Sequence, residues 1–142
     1  MGGWRTPAHF FILKKEVQNM TLGQLIAEIE TVKPHQFPKE TITRWLTEVE
    51  NTAVEQIFNR VDGVDIHFEK FDYDMDHEKE LQIPDHFADV YMTYVSAKID
   101  YANREFGGYN NAVSMYQAAF DELAAYWKRT HKPKTMPKMR YF

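Results

Sequence analysis

The sequence predicts an all-α fold, a small bundle of about four helices built on an antiparallel hairpin and interrupted by one acidic excursion. Three observations lead there. Residues 87 to 131 carry two successive apolar stripes at helical spacing, with Gly107-Gly108 between them. Two further stripes lie upstream, each bounded by helix start and stop signals. Between the pairs, residues 64 to 84 alternate with period two, which is an extended pattern.

In chain order, residues 1 to 19 form a leader with too short an apolar stretch (Phe10 to Leu13) for a secretory signal. Lys15-Glu16-Val17 back-translates to a ribosome-binding sequence, with Gln18-Asn19 as spacer. The expectation is a start at Met20 and a leader that is either not native or a flexible arm. From Met20 the first helix opens on a capping box, Thr21 with Gln24. Leu22, Leu25, Ile26, Ile29 and Val32 form its buried face, and Pro34 stops it. Phe37-Pro38 opens a long second helix, about residues 38 to 60, with Ile42, Trp45, Leu46, Val49, Ala53, Val54 and Ile57 along one side.

Residues 64 to 84 then read as an extended or β-like segment, with Val64, Ile66 and Phe68 alternating against polar neighbours and only Lys70 and Lys79 offsetting its acids. Ile83-Pro84 closes it, and Asp85 is a candidate N-cap for the hairpin. The hairpin arms are placed at about 85-106 and 109-130. Gly107 and Gly108 are assigned the turn, as residues able to take positive φ, and Asn110-Asn111 are assigned to capping the second arm. The rest of the chain is expected to pack on this hairpin. After His131 the segment KPKTMPKMRYF has prolines and no apolar period, so residues 132 to 142 are expected to be a flexible basic tail. The chain thus divides into a leader, one helical domain over 20-131, and the tail.

Charge is divided unevenly along the chain. Residues 20 to 127 hold 20 of the 21 acids and 8 of the 17 bases, whereas Lys128, Arg129, Lys132, Lys134, Lys138 and Arg140 share the last fifteen positions with no acid. An acidic body disfavours duplex binding, which rests on neutralising phosphates with a basic face. With no cysteine there is no disulfide, thiolate site or cysteine nucleophile, and no apolar run approaches the ~20 residues of a membrane helix. The cytoplasm is the expected compartment for synthesis.

Motifs for chemistry are lacking. Asp72, Asp74 and Asp76 alternate as at the start of a calcium loop, but His77 replaces the required glycine and Ile83 the closing glutamate. The histidines have no paired-ligand spacing, and no phosphate-cradling or nucleophile-elbow motif occurs. No enzyme activity, metal or cofactor is expected. Asp100 lies among apolar positions and needs a partner, with Lys98, Arg104 or a tyrosine hydroxyl as candidates inside the subunit or across an interface. Tyr91, Tyr94, Tyr101, Tyr109 and Tyr116 surround more of the hairpin than one small core can cover, which points to subunit contact. Together with Asp100 and Asn110 they are the candidate interface.

The run YVSAKIDYANREFGGYNNAVSMYQAAFDELAAYWKRTHKP, with TLGQLIAEIE, TRWLTEVE and IPDHFADVY before it, resembles the head-tail connector (adaptor) proteins of bacteriophages with long non-contractile tails. The resemblance spans about residues 20 to 133 and includes the GGYNN turn. It implies a helical subunit of a homo-oligomeric ring in the virion neck, twelve copies in the virion, assembled in the host cytoplasm. The ring would dock between the portal protein and the stopper or tail-completion proteins, and conduct duplex DNA without sequence-specific binding. On this reading Lys128, Arg129, Lys132, Lys134, Lys138, Arg140, Tyr141 and Phe142 are portal-contact candidates. An acidic lumen would let duplex slide, and a basic tail would order on docking. The alternative is a small helical regulatory or nucleic-acid-binding module that uses the basic tail.

Overall fold

The computed structural model describes residues 19 to 133. Helix α1 (Leu22–Val32) starts at the predicted capping box, with Thr21 Oγ1 accepting from the Gln24 amide at 3.2 Å and Gln24 Oε1 accepting from the Thr21 amide at 3.0 Å. A helix leaves its first four amides without intrahelical partners, and here the two that the capping box does not take are satisfied by main chain. Leu22 N–H donates to the Lys79 carbonyl at 3.0 Å and Gly23 N–H to that of His77 at 2.7 Å. The approach is so close that a Cβ on Gly23 would lie 2.9 Å from the His77 carbonyl oxygen, so only glycine fits.

Helix α2 (Lys39–Gln56) runs into a 3₁₀ turn (Phe58–Arg60), close to the predicted span. The excursion follows, and no β-strand forms among the described residues. Its alternation is nevertheless real: Val64, Ile66 and Phe68 are half-buried while Asp65, His67 and Glu69 are exposed. Side chains from α2 and the turn after it take the place of a neighbouring strand. Asn59 donates to the Ile66 carbonyl at 2.9 Å and accepts from its amide at 2.7 Å. Asn51 donates to the Glu69 carbonyl at 3.1 Å, and Thr47 accepts from the Phe71 amide at 3.2 Å. A single-turn helix α3 (Tyr73–Asp76) corrects the later half of the excursion from extended to helical, and Asp72 caps it by accepting from the Asp74 amide at 3.0 Å. The Asp76 carboxylate in turn accepts from the Asp72 amide at 2.8 Å, so these two aspartates serve local backbone geometry.

Residues 77 to 84 then form a strap between the start of α1 and the flank of α2. Asp85 opens a 3₁₀ turn (Asp85–Phe87) rather than capping a helix, and its carboxylate accepts from the Met20 amide. Helix α4 (Asp89–Ala102) follows, then helix α5 (Phe106–Thr130).

The reversal between them is not at the glycines. Arg104 has φ 60°, and Glu105 N–H donates to the Asp100 carbonyl at 2.8 Å while Arg104 N–H donates to that of Tyr101 at 3.1 Å. These are the two bonds of a Schellman motif, with arginine in the left-handed position where glycine is usual. Gly107 and Gly108 sit inside the first turn of α5. Gly107 has open space around it, but a Cβ on Gly108 would lie 2.7 Å from Asp100 Oδ2, so that glycine is needed for close approach and not for its φ.

The core also shifts from its predicted centre. Leu22, Leu25, Ile26 and Ile29 of α1, Ile42, Leu46, Val49 and Ala53 of α2, and Val90, Tyr91, Val95 and Ile99 of α4 are buried together, with Phe71, Leu81 and Ile83 from the excursion. Helix α5 lies outside this group and contributes Leu123 alone to it. The hub is therefore α2 with α4, and α5 is an outer layer.

Candidate assembly surface

Two of the predicted interface residues belong to the interior. The Tyr91 hydroxyl donates to Glu50 Oε1 and accepts from the Ile83 amide at 3.2 Å, while Glu50 Oε2 accepts from the Gln82 amide at 2.8 Å. Tyr91 is buried, so it is not an interface residue; it ties the strap to α2 and α4. Burial holds the Glu50 carboxyl up to about 7, against the hydrogen bonds from Tyr91 and Gln82 and the charge of Lys79, which all favour the ion. The Tyr91 hydroxyl is pushed well above its ordinary range by burial and then by Glu50. Sequence reading missed this network. Its signal was a glutamate at position 50, one residue from Val49 and four from Leu46 and Val54, on an otherwise apolar helix face.

Asp100 is likewise buried, and its partner is none of those considered. Lys33, at the C-terminal end of α1, bonds it at 2.9 Å, and the same carboxylate reaches over the first turn of α5 at Gly108. Unpaired amides give that end of a helix partial positive charge, so the carboxylate is doubly matched there. Asn110 is exposed within α5 and caps nothing; the N-cap position is Glu105.

The other four tyrosines do come together, along the seam of α4 and α5. Tyr94 and Tyr116 ring centres are 5.2 Å apart, and Tyr101 and Tyr109 are 5.3 Å apart. Phe106 lies 6.0 Å from Tyr101, and Phe120 lies 5.7 Å from Tyr116. The Tyr94 hydroxyl donates to Glu48 Oε1 at 2.6 Å, and Lys98 pairs with the same oxygen at 3.4 Å. Burial and then Glu48 push the Tyr94 hydroxyl above its usual range. All four tyrosines line a groove of about 370 Å³.

Phe106 extends this surface at the start of α5, whereas Met115 lies on the opposite side of that helix. Phe106 is 55% exposed and Met115 52%, and from Phe106 to Phe120 the helix has no charged residue. Over the whole 25-residue helix only Ala112 and Leu123 are buried. A surface helix ordinarily carries charge on its outer face; here the exposed Asn110, Asn111, Ser114 and Gln117 take that place. Phe106 was not foreseen as part of the tyrosine surface.

Lys128 and Arg129 occupy the last turn of α5, where cations complement the negative end of the helix. Lys132 is exposed, yet its carbonyl accepts from the Asp62 amide at 2.8 Å and Pro133 bridges to Val61, so residues 131 to 133 belong to the folded body and not to a tail. Lys134, Lys138, Arg140, Tyr141 and Phe142 lie outside the described residues, as does residues 1-18 of the leader. Among the described residues no cluster of three or more His, Asp or Glu could hold a metal ion, and no helix is long and apolar enough to cross a membrane. No protein-family model matches the chain, nor does any curated protein or solved structure.

Proposed function

We propose that this chain is a structural subunit that assembles with copies of itself into a ring, and that the ring is the head-tail connector of a tailed phage. It would sit in the virion neck between portal and stopper or tail-completion proteins and conduct duplex DNA. The observation that carries the assembly reading is the tyrosine groove along the seam of α4 and α5, formed by Tyr94 and Tyr101 of α4 with Tyr109 and Tyr116 of α5, and extended by the exposed Phe106. The sequence resemblance supplies the phage setting. Residues 19 to 133 carry 20 acids and 11 bases, a balance that suits passage of DNA rather than its capture.

Negative-stain microscopy and native mass spectrometry of the full chain, alone and with a portal ring, test the reading. Closed rings are expected, and rings should be lost in Phe106→Glu while its far-ultraviolet circular dichroism is unchanged. A monomer that ignores portal and binds duplex DNA in a salt-sensitive way would instead establish the regulatory or nucleic-acid-binding alternative.

A further inference from the structure

One groove in this acidic body is lined by cations. It lies where the C-terminal ends of α2 and α5 meet, holds about 490 Å³, and has apolar walls from Ile57, Val61, Ala124 and Trp127. Arg60 and Lys128 line it too, both exposed, and neither is in an ion pair among the described residues.

Near the other end of α2 a cleft holds more acid than base, with Glu40, Asp72 and Asp74 against Arg44 and Lys70. Met75 in α3 is 82% exposed, more than any other large hydrophobic among the described residues. Asp72 and Asp74 flank it, both exposed and neither in an ion pair among the described residues. Tyr73 and both aspartates share a cleft with Thr43 and Arg44, which fixes this knob beside the first half of α2. From Thr43 to Gln56 at the cationic groove is about 20 Å along a helix rising 1.5 Å per residue.

An acidic knob with an exposed apolar tip and a cationic groove with apolar walls complement each other in hydropathy and charge, but this distance keeps them apart within one molecule. Between copies they make a head-to-tail contact, the kind that closes a ring or runs on as a filament. We propose that Met75 of one copy enters the Ile57–Trp127 groove of the next, with Asp72 and Asp74 facing Arg60 and Lys128. The proposal rests on the ring reading and adds to it a contact distinct from the tyrosine surface. It also gives Lys128 a partner in a neighbouring copy.

The chain has no cysteine, so introduced thiols report only on themselves. Full-length Met75→Cys and full-length Gln56→Cys, both changed at exposed positions, are mixed under mild oxidation. The mixed disulfide is expected in at least fivefold excess over either symmetric one. Adding Arg60→Glu and Lys128→Glu to the Gln56→Cys chain should remove that excess, and adding Asp72→Lys and Asp74→Lys to the other chain should restore it. Closed rings without the mixed excess would overturn this contact and leave the ring reading standing. The mixed disulfide in a protein that forms no ring with portal would keep the contact and overturn the ring. Neither rings nor mixed disulfide would overturn both.

Discussion

The two adjacent glycines of the hairpin show how one residue type answers different demands one position apart. Gly107 meets nothing within 4 Å where a side chain would point, so Gly107→Ala should stabilise the helix by roughly 0.5 to 1 kcal/mol, the ordinary helical gain of alanine over glycine. Gly108 faces one oxygen of the buried Asp100 carboxylate, whose other oxygen pairs with Lys33 at 2.9 Å, so moving it aside disturbs that pair. Gly108→Ala should therefore destabilise by roughly 1 to 3 kcal/mol through overpacking. Urea denaturation of the two variants reads both signs, and equal effects would refute the distinction. The sequence offered the glycine pair as the obvious source of positive φ, and that inference failed because the left-handed position went to Arg104. A Schellman motif is defined by its two backbone hydrogen bonds, so a non-glycine occupant leaves no compositional mark. Asp100 was read correctly as needing a partner. The partner was missed because Lys33 is 67 residues away and meets it only in the folded chain.

Elements were legible wherever a local rule decides them. The capping box of α1 and the proline-led start of α2 depend on residues within a turn of each other, and the structure has them where the sequence places them. The excursion was only half legible, since alternation reports which side chains are buried but not what pairs with the backbone. Here the partner is a row of side chains, Thr47, Asn51 and Asn59, at spacings of four and eight that keep them on one side. Asn59→Ala would strip both polar groups of Ile66 of their protein partners. At about 1 kcal/mol per net hydrogen bond, the loss should be about 2 kcal/mol. Hydrogen exchange should quicken at residues 64 to 71 before the helices respond, and uniform quickening would show that the segment is no separate unit.

For the molecule as a whole, the all-α class was legible because helical period dominates the sequence, while the location of the core was not. Both arms of the hairpin carry wide apolar stripes, and period alone does not distinguish a stripe that meets the core from one that meets a neighbour. Glu50 gives global stability a particular pH dependence. Its carboxyl titrates near 4.5 in an unfolded chain and about 7 in the fold. Between those values the folded protein keeps a proton that the unfolded chain has released, so stability falls as pH rises through this window and is level above it. The difference corresponds to roughly 3 kcal/mol. Denaturation at pH 5 and pH 8 should show the wild type losing that much relative to Glu50→Gln, and a constant gap would mean that Glu50 keeps an ordinary pKa. Helix α5 also sets a length. Twenty-five residues make a rod of about 37 Å, and one turn of B-form duplex advances about 34 Å. In a ring with α5 parallel to the axis, the wall spans one full pitch of the DNA it encloses. In the proposed ring each phosphate strand would then pass every azimuth of the wall once, so sliding of the duplex along the axis without rotation would leave their summed interaction nearly constant.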